Sequence, residues 1–287
     1  MSVDHLKKIP YFGVGIGLRL DIAKETMANN KEIQVVEIIA EHYFSDRPGS
    51  AGFLERAQNA FPVVPHGIKL SIGNVVPLDY DYLDEVKKLT TTLKSPYYSD
   101  HFTLAGHDDL LDIGHLSPLW YTKEALDRIV ERIDTVQQYI GIPLVLENIT
   151  APFVIPETDY EEPEFITEVC RRTGCGLLLD VTNVHINAFN FKKDAQKLIE
   201  RYPMDYVVHM HLAGGEVHDG YYYDTHSKDI NGVNEGVWPL FEWAVRNSDA
   251  KTVIIERDDD FGDSFEESLL KDLRRARSIV DSARSDR

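Results

Sequence analysis

Residues 122–148 read TKEALDRIVERIDTVQQYIGIPLVLEN and hold one complete unit of the fold. From Thr122 to Tyr139 apolar side chains recur about every 3.6 residues, the mark of a helix with one buried face. Thr-Lys-Glu-Ala-Leu opens it, Gly141-Ile142-Pro143 stops it, and Leu144 to Asn148 follows as a short apolar strand. The same alternation runs through the chain. Strands are expected at Val14 to Leu20, Val35 to Ala40, Val63 to Leu70, Tyr97 to Leu104, Leu144 to Asn148, Leu177 to Val181, Val207 to Leu212 and Val253 to Arg257. Further helices are expected at Leu83 to Leu93, Glu164 to Arg172, Lys192 to Arg201, Val237 to Arg246 and Phe265 to Ala283, with a less regular one at Gly52 to Ala60. Strands joined by crossover helices run parallel, and eight units favour an α/β barrel of the TIM (β/α)8 type over an open sheet. No linker composition divides the chain, so 1–287 are expected to form a single domain with 1–10 and 283–287 loose at its ends.

Composition narrows the function. Acidic residues outnumber basic ones 48 to 30, a net charge of -18 that repels phosphate backbones and anionic bilayers. Neither nucleic acid nor a membrane is an expected partner. The first twenty residues lack a signal-like apolar core, no apolar run is long enough to span a bilayer, and a cytoplasmic protein is expected. Cys170 and Cys175 are a C-x4-C pair without neighbouring ligands, a poor zinc site, and read as reduced thiols.

The informative residues stand where strands end. His66, Asp100-His101, Glu147-Asn148, Asp180 with Asn183 and His185, His209-Met-His211 and Glu256 close successive strands, and Asp224-Thr-His226 follows in the loop after the seventh. In a barrel these C-terminal ends converge on one mouth. Imidazole suits iron, zinc and manganese, and carboxylates can bridge two cations and offset their repulsion. Any one histidine could be a hydrogen-bonded core residue, but packing needs no buried carboxylates, which cost several kcal/mol each if unpaired. Two or three ions are implied. His211 is the better ligand of its pair, and His209 could support it from behind or fill a barrel layer. Gly13-Val-Gly15-Ile-Gly17 lies within or before the first strand rather than between strand and helix, and reads as close packing rather than a phosphate cradle. His107, His115 and His218 read as loop residues, Tyr221-Tyr222-Tyr223 as an aromatic wall or a loop anchor, and Asp258-Asp259-Asp260 as a solvated turn.

Eight pieces together resemble the DUF692 family, described as multinuclear non-haem iron-dependent oxidases and including the methanobactin-biosynthesis oxidase. They are Gly15-Ile-Gly-Leu-Arg19, Glu37-Ile-Ile-Ala-Glu-His-Tyr43, Pro65-His-Gly67, Asp100-His101, Leu146-Glu-Asn148, Leu179-Asp-Val-Thr-Asn183, His211-Leu-Ala-Gly214 and Asp224-Thr-His226. The ligand positions also resemble the three-metal site of endonuclease IV-like barrels in the xylose-isomerase-like superfamily. That resemblance implies His66, His101, Glu147, Asp180, His211, Asp224, His226 and Glu256 as ligands, with Glu147 bridging. Asn183 stands where the endonuclease pattern has histidine, and amide oxygen in place of imidazole shifts the expectation from zinc to iron. His185 stands where the oxidase family has an aromatic residue, and reads as an added ligand or a substrate contact. Asn148 and Asp100 are candidate supports or substrate contacts.

The oxidase resemblance implies two or three iron ions in a mixed Fe(II)/Fe(III) state, dioxygen as co-substrate, and a ribosomally made precursor peptide modified at a cysteine. It also implies a separate protein that recognises the peptide. The alternatives are a zinc or manganese hydrolase or isomerase on the same scaffold, and a metal-binding accessory protein without chemistry.

Overall fold

The computed structural model describes residues 3–45, 50–104, 116–227, 229–258 and 265–286. His107, His115, Asp259 and Asp260 lie outside the described residues. Eight parallel strands close a barrel: β1 Gly13–Gly17, β2 Val36–Ile39, β3 Val63–His66, β4 Tyr98–His101, β5 Leu144–Glu147, β6 Gly176–Asp180, β7 Val207–Leu212 and, last in the chain, β10 Thr252–Ile255, which pairs back onto β1. Each coincides with an expected strand. Helices α3 Ser50–Ala60, α4 Tyr80–Leu93, α5 Lys123–Ile140, α6 Glu162–Thr173, α9 Val237–Asn247 and α10 Lys271–Ser285 cross between strands or close the last unit.

The quoted unit folds for the reasons its residues supply. Thr122 Oγ1 accepts the Ala125 N–H at 3.2 Å to cap α5, and Gly141 ends it with φ +80°. Leu126, Ile129, Ile133, Val136 and Ile140 bury one face against the barrel. At β1, a Cβ on Gly15 would overlap the Val35 carbonyl, which makes this glycine run a close approach of two strands.

Several elements were not expected, the first a short helix after β1, α2 Ala23–Ala28. Helix α7, Val181–Asn190, begins directly after β6 with Asp180 as its cap, so there is no loop between them. The stretch after β7 holds a small antiparallel hairpin, β8 Glu216–His218 and β9 Tyr221–Tyr223. The expected helix at Lys192 to Arg201 shortens to α8, Ala195–Ile199.

The ends of the chain are not loose in the way expected. Asp4–Lys7 forms a turn of helix, α1, and Leu6 and Ile9 are buried against Val35, Val64, Tyr97, Val145, Leu178, Val208 and Ile254. A barrel open at its N-terminal end would leave these apolar residues wet, and the N-terminal segment covers them. At the other end α10 continues to Ser285 and Ala283 is buried.

That inner cluster fixes which way the strands face, except on β7, where a bulge against β6 follows Val208 and turns His209 and His211 inward instead of Met210. Its members alternate along the strands with Val36, Val63, Tyr98, Leu144, Leu146, Leu177, Leu179 and Val253, which pack in the separate outer core under the helices. Two residues beyond an inner apolar residue comes another inward position. Val35 is followed by Glu37, Val64 by His66, Val145 by Glu147, Leu178 by Asp180 and Ile254 by Glu256. Tyr97 is followed by Ser99 and His101. An apolar plug therefore carries a polar layer directly above it.

Candidate metal centre

The polar layer draws its side chains into two overlapping groups, His66 with His101 and Glu147, and Glu147 with Asp180, His211 and Glu256. Glu147 belongs to both and is buried. Its Oε2 lies 3.3 Å from His66 Nε2 and 3.3 Å from His101 Nε2, while its Oε1 lies 3.2 Å from His211 Nδ1. Glu256 Oε2 stands 3.1 Å from the same His211 nitrogen. A carboxylate offering one oxygen to each side is the arrangement that lets two cations share a ligand.

A third group lies within the same layer and was not expected. Glu37, His209 and His211 offer donor atoms to one another, with Glu37 Oε2 at 3.2 Å from His211 Nε2 and 3.6 Å from His209 Nε2. Glu37 lies inside an apolar run rather than at a strand end. The signal that finds it is its parity with Val35. His209 is held by Tyr97, whose Oη is 3.3 Å from Nδ1 and 2.9 Å from Thr252 Oγ1.

Burial and crowding set the proton affinities. Burial pulls His101 down, but Glu147 and then Asp100 outweigh it and raise the imidazole to about 9. Burial likewise opposes charge on His211, yet Glu256, Glu37 and Glu147 carry it well above its ordinary value. His66 is held well below by burial and by His101 beside it. Burial, then the charges of Glu147, Asp224 and Glu256, push Asp180 well up. A cation among these carboxylates would offset the repulsion that lifts Asp180.

The residues fit such ions on their unsatisfied atoms. Among the described residues Glu147 Oε2, His209 Nε2, Asp224 Oδ1, His226 Nε2 and Glu256 Oε2 make no hydrogen bond and meet only a histidine or a carboxylate at ion-pair distance, while Asp180 Oδ2 and Asn183 Oδ1 are buried with no hydrogen-bond partner. Buried polar atoms of this kind carry a desolvation cost of about 1–3 kcal/mol each unless something compensates them. All are oxygen or imidazole nitrogen, the donors that divalent and trivalent transition metals take.

Asn183 and Asp180 are locked by the strand-to-helix junction. Asp180 Oδ1 accepts the Asn183 N–H at 2.7 Å, which caps α7. Asn148 reaches across from β5: its Oδ1 accepts the Asp180 N–H at 2.9 Å, its Nδ2 donates to the Asp180 carbonyl at 3.0 Å, and its own carbonyl accepts Asn183 Nδ2 at 3.0 Å. Asn148 thus spends its amide on the junction.

Asp224 and His226 stand apart at the rim, partly exposed. Asp224 Oδ1 is 2.7 Å from His226 Nε2, and His226 Nδ1 is 3.7 Å from Glu256 Oε2 and 3.3 Å from Asp258 Oδ2. Asp258 is exposed, as expected of a solvated turn, and also pairs with His226 and Arg19 at the rim.

Asp100 faces outward. Its Oδ1 accepts the His101 N–H at 2.7 Å, and its Oδ2 accepts from Leu70 N–H at 3.1 Å and Tyr82 Oη at 3.3 Å. Tyr82, on α4, also donates to Glu41 Oε1 at 2.7 Å. His185 is not brought to the cluster. Successive helical residues turn by about 100°, so two positions past Asn183 the ring points away from the mouth. Its Nε2 lies 3.4 Å from the Val233 carbonyl and its ring packs on Tyr222. His218 is exposed and pairs with Glu216.

A family model described as RiPP precursor modification enzyme MbnB/TglH/ChrH matches residues 13–281. A UPF0276 protein of Anaeromyxobacter sp. is 35% identical over 247 residues, covering 86% of this chain and 86% of that protein. A UPF0276 protein of Rhizorhabdus wittichii is 32% identical, covering 93% and 95%. Among solved structures, an L-ribulose 3-epimerase superposes with a TM-score of 0.61 at 13% identity, covering 95% of this chain and 96% of that one. The D-psicose 3-epimerase of Clostridium cellulolyticum H10 gives 0.58 at 15% identity, covering 95% and 98%. At such identities these enzymes share the barrel and carry no argument about substrate.

Proposed function

Since the chain belongs to the MbnB/TglH/ChrH family of RiPP precursor modification enzymes, we propose that it is a multinuclear non-haem iron oxidase that uses dioxygen to modify a precursor peptide at cysteine. The observation that carries this reading is Glu147, one buried carboxylate shared by two ligand groups.

His66, His101 and Glu147 would hold one ion, and Glu147, Asp180, His211 and Glu256 a second. Asn183, Asp224 and His226 offer donors for a third at the rim, where Asp224 is close enough to act on Asp180. Iron bound there would supply one-electron redox chemistry with dioxygen as oxidant. The protein's own contribution is position and charge. Glu37 accepts from His211 Nε2 and so presents Nδ1 toward Glu147 and Glu256, the carboxylate-histidine arrangement that fixes a ligand's tautomer. Asn148 fixes Asp180 and Asn183, and Asp100 accepts the His101 backbone N–H. The apolar plug below closes the polar layer from the N-terminal side.

Among the described residues no helix is long and apolar enough to cross a membrane. The two free buried thiols support a reducing, cytoplasmic setting. A separate protein that recognises the peptide completes the reading. The deciding experiment is anaerobic purification, metal counting, and Mössbauer and EPR spectra before and after oxygen. Two or three irons with an oxygen-sensitive signal are expected. Stoichiometric zinc without such a signal would sink the oxidase and favour a metal-dependent hydrolase or isomerase.

A further inference from the structure

A groove of about 750 Å³ opens beside the metal centre and the ligand set leaves it unexplained. Its lining comes from four separate parts of the chain. Trp120 lies before α5, Phe153 follows β5, Ile186 is on α7, and Tyr221 and Tyr223 are on β9. Trp120 is 52% exposed, Phe153 57% and Tyr223 45%. Large rings left in water on one concave surface mark a binding site more often than packing.

The hairpin that supplies the tyrosines is held in place. Asn190 on α7 takes both polar groups of the Tyr222 backbone, accepting its N–H at 2.8 Å and donating to its carbonyl at 2.8 Å. Tyr222 is buried and its hydroxyl bonds Asn234. The half-buried ring of Tyr221 and the exposed ring of Tyr223 flank this anchor.

We infer that this groove holds the stretch of precursor peptide next to the modified residue, and selects for a bulky apolar side chain there. The inference rests on the peptide-modifying reading above. Continuity with the centre identifies the occupant. Asp224 lines the groove and also meets His226, which leads on to Glu256 in the buried cluster. A side chain reaching into the cluster has its backbone leave along these rings. A small polar substrate would need convergent donors and acceptors, whereas this lining is mainly apolar and aromatic. The net charge of -18 disfavours an anionic lipid in the same place.

The probe is a library of synthetic heptapeptides with cysteine at the centre and the flanking positions randomised, alongside the same library with central serine. It is applied to metal-loaded wild type and to Trp120→Ala and Phe153→Ala, each with its metal content measured. Wild type should retain cysteine peptides enriched in Phe, Tyr, Leu, Ile or Met at one or two fixed offsets. Retained peptides should bind each variant about tenfold more weakly with the metal content unchanged. Enrichment of cysteine without an apolar preference, or equal binding by wild type and both variants, overturns the subsite and leaves peptide modification standing. Failure of wild type to favour the cysteine library over the serine one overturns both.

Discussion

Glu147→Gln keeps the shape of the side chain while removing one charge and one acceptor oxygen. In the native chain Oε2 faces His66 and His101 at 3.3 Å, and Oε1 faces His211 at 3.2 Å. Losing the carboxylate takes the first ligand group from three residues to two and the second from four to three. A two-histidine remnant should not hold a divalent ion against a chelator. The three-residue remnant should weaken by at least the 10–100-fold that loss of an outer partner costs, or about 1.4–2.7 kcal/mol. His66→Gln is the control, because His66 belongs to one group alone. Both proteins are loaded anaerobically, dialysed against a weak chelator and counted by inductively coupled plasma mass spectrometry. Glu147→Gln should lose one equivalent outright and part of a second, and His66→Gln one only. Loss of the same single equivalent by both, with unchanged far-UV circular dichroism, refutes the shared carboxylate.

Glu37→Gln should lower metal affinity about 10–100-fold with little change in fold, because it weakens the acceptor behind His211 Nε2; chelator competition beside a melting curve measures both. Gly67→Ala should destabilise by about 1–3 kcal/mol, since a methyl there overlaps Tyr98 Oη and presses on Asp100. Tyr98→Phe in the same chain should recover part of that loss, and a denaturant midpoint that does not move on Gly67→Ala would contradict the packing. Glu162, away from the centre, has its carboxyl pushed up to about 7 by burial, with Tyr202 opposing at 2.9 Å. Its folded state keeps a proton that the unfolded state releases, so stability should fall as pH rises from about 4.5 to 7, by at most about 3 kcal/mol. Glu162→Gln should flatten that slope in denaturation series run across the window.

The eight strands were legible because each is a short apolar run bounded by turn residues, and the candidate site was legible in outline because its histidines and carboxylates punctuate those runs. Helix α7 was hidden for local reasons. Val181-Thr-Asn-Val-His reads as strand or loop by propensity, and Asp180 is at once the last residue of β6 and the cap of the helix, so nothing separates them. With the helix unseen, His185 reads as an added ligand or a substrate contact; in the structure it stands away from the cluster, its ring on Tyr222. Glu37 was hidden because it interrupts an apolar run in the middle, and only knowledge that Val35 faces inward shows that Glu37 must also. Side-chain parity needs a reference residue, and the plug beneath the site supplies it. The N-terminal residues that complete the plug read as a loose end because their burial depends on seven strands distant in sequence.

The junction after β6 shows why Asn183 bears on the choice of metal. Its backbone N–H is taken by Asp180 Oδ1, and its side-chain Nδ2 donates to the Asn148 carbonyl. These bonds assign which amide atom is which, and the one left over is Oδ1, buried and without a hydrogen bond. An imidazole could not reproduce this arrangement with an oxygen facing the cluster. Aspartate could keep the oxygen, but it would lose the donor to Asn148 and add a charge beside Asp180, whose carboxyl is already forced well up by burial and by Glu147. Asparagine therefore supplies a neutral oxygen donor at a place where a further negative charge is costly and a donor hydrogen is required. In the proposed centre the same amide sets both the rigidity of the junction and the hardness of the donor, a neutral oxygen where an imidazole would offer a softer nitrogen.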